Sequence, residues 1–102
     1  MPDNEALYDE AIRLKDEGKV DGAIEKMQEL VAQDDTYALA HSALAKLLTD
    51  AGNHAEAIKH AVRVTELEPN DPFSFTALSV TYQRGGFIQE AEDAMARART
   101  IQ

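Results

Sequence analysis

Shifted by 34 residues, the chain falls on itself: Gly18 meets Gly52 and then Gly86, and Ala23 meets Ala57 and then Ala91. Other matches join two copies, among them Ala11 with Ala45, Ile24 with Ile58, Leu44 with Leu78, Glu56 with Glu90 and Arg63 with Arg97. Three copies, at 4–37, 38–71 and 72–102, use nearly all of the 102 residues, and the last stops three residues short. A chain built on such a period makes one supersecondary unit per copy, and each unit buries its apolar face on the next. The expectation is a single domain over 1–102 whose core is a stack of repeats.

Within each copy the apolar spacing is helical. Leu7, Ala11 and Leu14 share one face, as do Ala23, Met27 and Leu30, at the separations of three and four residues that line up on an α-helix. The first helix of each copy is expected over about 4–17, 38–51 and 72–84, and the second over about 20–34, 54–68 and 88–101. The repeated glycines fall between the two helices, where a residue free to take positive φ ends the first one. Asp71 followed by Pro72 makes a helix start, with a carboxylate to cap free amides and a proline in the first turn. Nothing in the chain reads as a strand meander or a βαβ unit.

The positions that recur carry a pattern. The third copy supplies Phe75, Leu78, Ser79, Tyr82, Ala91 and Met95, and the second His41, Leu44, Ala45, Leu48, Ala57, Ala61 and Pro69. The first has Leu7, Ala11, Leu14, Ala23 and Met27, with Glu10 where leucine is usual and Asp35 where proline is. Over residues 4–102 the chain resembles the tetratricopeptide repeat family. The resemblance implies an all-α fold, a right-handed α-α superhelix of three helix-turn-helix repeats and six antiparallel helices, with the first helix of each pair lining a concave groove.

Charge and composition narrow the partners. With 19 acidic and 10 basic residues the formal net charge is −9, which phosphate backbones and anionic lipid would repel, so neither nucleic acid nor a membrane surface is the expected partner. Residues 1–35 carry 11 of the acidic and four of the basic side chains, whereas 72–102 balance at three and three. Cysteine is absent, which removes thiol catalysis and cysteine metal sites and fits a reducing compartment. No apolar run reaches the roughly 20 residues of a membrane span, and the acidic start MPDNEALYDE is unlike a signal peptide. The expectation is a small, acidic, cytoplasmic protein.

Catalytic motifs are missing. The sequence has no G-x-S-x-G elbow, no G-x-x-x-x-G-K-[ST] phosphate loop, no H-E-x-x-H and no calcium-binding D-x-D-x-D-G loop, so no enzyme activity, cofactor or metal is expected. His41 takes the place of Leu7 and Phe75, and His54 that of Val20 and Phe87, so both read as packing residues. His60 matches Lys26 and Ala94 and reads as exposed. Mild pH sensitivity through His41 or His54 is a further expectation. Asp34 and Asp35 read as solvated turn residues.

The resemblance also implies which side chains face the groove. Copy one offers Glu5, Tyr8, Asp9, Ile12, Lys15 and Asp16; copy two offers Leu39, Ser42, Ala43, Lys46, Thr49 and Asp50. Copy three offers Phe73, Thr76, Ala77, Val80, Gln83 and Arg84. The family's best-known use is a clamp of lysines, asparagines and an arginine for the C-terminal carboxylate of chaperone tails. The positions of that clamp here are Tyr8, Ile12, Ala43, Phe73 and Ala77, which hold no carboxylate by charge, so such tails are not expected to bind.

These five residues make an apolar strip suited to an amphipathic helix or an extended apolar segment of another protein, with Tyr8 and Phe73 as anchors. Lys46 and Arg84 would orient an acidic group at one side of the groove, and Glu5, Asp9 and Asp16 a basic one at the other. The function this implies is a non-enzymatic adaptor, scaffold or assembly factor. The alternatives are a regulatory subunit or a self-associating structural protein. At the end of the third copy Glu92 stands where Ile24 and Ile58 are and Arg99 where Val31 and Thr65 are, while Met95 and Ile101 leave an apolar patch, and the family resemblance allows homodimerisation there.

Overall fold

A computed structural model describes residues 2–101. Among the described residues six helices follow one another without a strand: α1 (Asn4–Asp16), α2 (Val20–Gln33), α3 (Ala38–Asp50), α4 (His54–Leu67), α5 (Pro72–Arg84) and α6 (Ile88–Thr100). The pairs α1/α2, α3/α4 and α5/α6 pack closely, and α2 leans on α3 as α4 leans on α5. Extents of 39 × 26 × 19 Å are those of a short stack, not of a sphere.

Local chemistry sets the ends of the helices. At α1 the Asp3 carboxylate accepts from the Ala6 N–H at 2.7 Å, and at α5 the Asp71 carboxylate accepts from the Phe73 N–H at 2.9 Å beside Pro72. The turn inside each repeat is the same three times over. Gly18, Gly52 and Gly86 have φ of 80°, 84° and 87°, and the following N–H of Lys19, Asn53 and Phe87 reaches back to the carbonyl of Leu14, Leu48 and Tyr82 at 2.8, 2.8 and 2.9 Å. This is the Schellman closure, and its left-handed residue is where glycine costs least.

The turn between the first two repeats is more organised than a solvated loop. Asp34 is half-buried; its carboxylate accepts from the Thr36 N–H and hydroxyl at 3.0 and 2.6 Å and from the Asn4 amide at 2.8 Å. Those bonds, led by the Thr36 hydroxyl, hold the carboxyl below its usual range. Asp35 stays exposed but pairs with Arg63 at 2.7 Å. Asp34 thus departs from the solvated turn residue expected of it, while Asp35 remains one.

The core has two parts. Leu7, Ala11, Met27, Leu30, Ala40, Leu44, Leu48 and Ala57 form one buried cluster joining the first two repeats. Ala45, Ala61, Leu78 and Ala94 form a second, which joins the second repeat to the third. Ala57 has no exposed surface within the first cluster, so a larger side chain there would overpack it at a cost of about 1–3 kcal/mol. Buried Ser79 donates to the Ala91 carbonyl at 2.7 Å, tying α5 to α6.

Candidate functional site

The first helices of the second and third repeats leave an open apolar cleft of about 510 Å³ between them. Phe73, Ala77 and Val80 of α5 form one wall, Ser42, Ala45, Lys46 and Thr49 of α3 the other, and Ala61 and Val64 of α4 the floor. Phe73 is 79% exposed and Val80 48%, so α5 presents apolar surface to solvent over its first two turns. Nearby on α3, Leu39 is 60% exposed; it holds in its repeat the position that Phe73 holds in the next.

Of the groove residues expected from the sequence, Ser42, Lys46, Thr49, Phe73, Ala77, Val80 and Arg84 are brought together around this cleft. Tyr8, Ile12 and Ala43 are half-buried and pack against the first core cluster, with the Tyr8 ring 6.0 Å from that of Tyr37. Thr76 is half-buried and its hydroxyl donates to the Pro72 carbonyl at 3.1 Å. The sequence reading left out the floor and the N-terminal lip, where Glu68 and Asp71 lie. Buried Ala61 and Val64 on the inner face of the second helix were the available signal.

Electrostatics at the other end of the cleft differ from expectation. The Lys46 ammonium and the Arg84 guanidinium share the one Asp50 carboxylate, at 2.8 and 3.2 Å, so each cation is held by an ion pair and the group of three keeps a net charge of +1. The Lys46 hydrogen bond, with help from Arg84, holds the Asp50 carboxyl below its usual range. Arg84 and Asp50 are 34 residues apart, so this ion pair laces α3 to α5 across one repeat junction.

A second polar cluster lies behind the groove. The His41 ring is 3% exposed, and its Nε2 is 2.8 Å from the Asp35 carbonyl, which only accepts, so Nε2 carries a proton. Its Nδ1 shares a hydrogen bond with the His60 Nδ1, 2.9 Å away, and with both rings neutral His60 is the donor. His60 is half-buried in this contact instead of exposed. Asp35 and Arg63 border the pair, with the Asp35 carboxylate 3.5 Å from the His41 Nε2, and Glu56 and Lys59 on α4 also act on His60.

Burial, and then the neighbouring His41, lower the His60 pKa from 6.5. The unfolded chain therefore binds a proton at higher pH than the folded one, and stability falls as pH drops below 6.5 toward the lowered value. Thermal unfolding of wild type should shift downward over that window, and His60→Gln, which keeps a donor toward His41, should flatten the slope. An unchanged slope in the variant would assign the pH dependence to other groups. The lowered carboxyls of Glu17, Asp34 and Asp50 act in a separate window, below 4.5.

The family model described as Tetratricopeptide repeat matches residues 14–79. The chain belongs to that family. A sequence comparison with curated proteins gives no match. Among solved structures, a crystal structure of MamA superimposes with a TM-score of 0.85 at 22% identity, covering 94% of this chain and 56% of that one. A second MamA structure has a TM-score of 0.85, with 93% of this chain and 52% of that one covered at 22% identity. The chain thus spans about half the length of these MamA structures.

The second tetratricopeptide domain of Spaghetti (RPAP3), solved bound to the HSP90 peptide SRMEEVD, gives a TM-score of 0.83 at 20% identity, with 97% of this chain and 92% of that one covered. At these identities the likeness is one of fold. No helix among the described residues is long and apolar enough to cross a membrane.

Proposed function

We propose that this tetratricopeptide protein is a non-enzymatic interaction module that holds a segment of another protein in the cleft between α3 and α5. The observation that carries the reading is the exposure of Phe73 and Val80 beside an apolar floor of Ala61 and Val64, since a solvent-facing aromatic next to a concave apolar surface is the usual anchor of a bound segment. A mode in which alternate apolar side chains enter the cleft fits its shape. Tyr8, Ile12, Leu39, Ala43 and Thr76 then frame the contact instead of filling it.

The related RPAP3 domain, solved with an acidic peptide, supports the use of this fold as a peptide holder. Here the clamp positions Tyr8, Ile12, Ala43, Phe73 and Ala77 carry no cation, and Lys46 and Arg84 share the Asp50 carboxylate, so SRMEEVD should bind weakly or not at all. The test selects peptides from a random display library on the wild-type protein and measures them again on Ala77→Gln. Ala77 is exposed on the cleft wall, and a longer side chain there fills the cleft without entering the core. Selected peptides should lose about tenfold or more in affinity, as expected when one central contact is blocked. Equal affinity for the variant would move the binding site off this cleft.

A further inference from the structure

The groove holds an uneven set of charges. On the concave positions of the first helices each of the three cations has an ion-pair partner, Lys46 and Arg84 sharing Asp50 and Lys15 meeting Asp16 at 3.9 Å, which leaves one positive charge in excess among these five groups. Four carboxylates around the groove, Glu5, Asp9, Glu68 and Asp71, have no ion-pair partner among the described residues. Two of them, with Asp3, line a depression at the start of α1 whose other side is the Tyr37 ring. That ring lies against Tyr8, so the depression joins negative charge to an aromatic surface. The apolar cleft lies one repeat further along, with Leu39 exposed beside it.

From this arrangement we infer that the occupant is an extended segment of a partner protein with two parts: an apolar pair seated at Phe73 and Val80, and lysine or arginine residues over Glu5 and Asp9. The inference rests on the proposed use of the cleft and adds the chemistry and polarity of what enters it. The carboxylates supply the attraction, and the tyrosine rings suit the flat face of a guanidinium or the stem of a lysine. Packed helices lie about 8–10 Å apart, so the depression and the cleft are separated by roughly 12–15 Å, or one and a half helix spacings. An extended chain covers that in about four residues. The basic and apolar parts therefore belong about four positions apart, and the −9 net charge of the whole protein favours approach by such a segment over long range.

Three synthetic fluorescent peptides of equal length test this. All carry a Leu-Phe pair, preceded four positions earlier by two lysines, two serines or two glutamates. Anisotropy at low salt should show the lysine probe binding roughly three- to tenfold tighter than the serine probe and the glutamate probe weakest, the size expected of two exposed ion pairs, with the spread shrinking as salt is added. The double variant Glu5→Gln, Asp9→Asn, checked for unchanged helicity, should bring the lysine probe down to the serine probe and leave the serine probe unaltered. Equal binding of the three probes to wild type, or a lysine preference that survives in the double variant, would overturn the inference while leaving the cleft reading in place. If the serine probe failed to bind at all, both would fall.

Discussion

Leu44→Ala is expected to lower the unfolding free energy by about 2–5 kcal/mol, the range for emptying a fully buried leucine site. Leu44 has 0% exposure and lies in the cluster with Leu7, Met27, Leu30 and Leu48, where the first two repeats meet. The cost includes the lost transfer free energy and the cavity left behind. Collapse around that cavity is limited, because the helices on both sides are pinned by the repeated glycine turns. Small domains have about 5–15 kcal/mol in all, so the change removes a large share of the total. Urea unfolding checks it, with Leu39→Ala as the control on the same helix. Leu39 is 60% exposed, and its truncation should stay within about 0.5 kcal/mol. Similar losses in the two variants would contradict the assignment of the core.

Phe73→Ala should act the opposite way, on binding and not on folding. With 79% of its surface exposed, the side chain contributes little to packing, and the Asp71 cap bonds its backbone N–H, which the substitution keeps. Unfolding should therefore change by no more than about 0.5 kcal/mol. Affinity for peptides selected on the wild type should fall by about 2 kcal/mol, near thirtyfold, which is the scale of an aromatic anchor. Titration of the same peptides into both proteins measures this directly. Full retention of affinity with Phe73 truncated would remove it as the anchor.

Most of the architecture was legible in the repeat. A residue such as Gly52 marks its turn because the backbone there needs a positive φ, and that demand recurs at 18 and 86 whatever the neighbours are. Helix limits fell within one or two residues for the same reason, since caps and turns are local. What the period did not contain was contact between unlike positions. His41 and His60 belong to different helices and different places in the repeat, so no comparison of copies brings them together; only the packing of α3 on α4 does.

The sharing of Asp50 was hidden in part. Its pairing with Lys46 is an i,i+4 contact within α3, but Arg84 reaches it only because adjacent first helices lie side by side. The cleft floor came from the second helix, which a reading restricted to first helices passes over. Local rules thus described the elements, and the site emerged from how neighbouring elements meet.

The division of the core into two clusters implies an uneven ladder of local stability. The largest fully buried side chains, Leu7, Met27, Leu30 and Leu44, all lie in the first two repeats, whereas the contact with the third is made chiefly by alanines around Leu78. In a linear array each unit is held by its neighbour, so α5 and α6 should open to solvent hydrogen exchange before α1 to α4. The cleft spans that weaker joint. A segment seated between α3 and α5 would then act as a splint, slowing exchange in the third repeat far beyond the residues it touches, and part of its binding energy would be spent on closing the array.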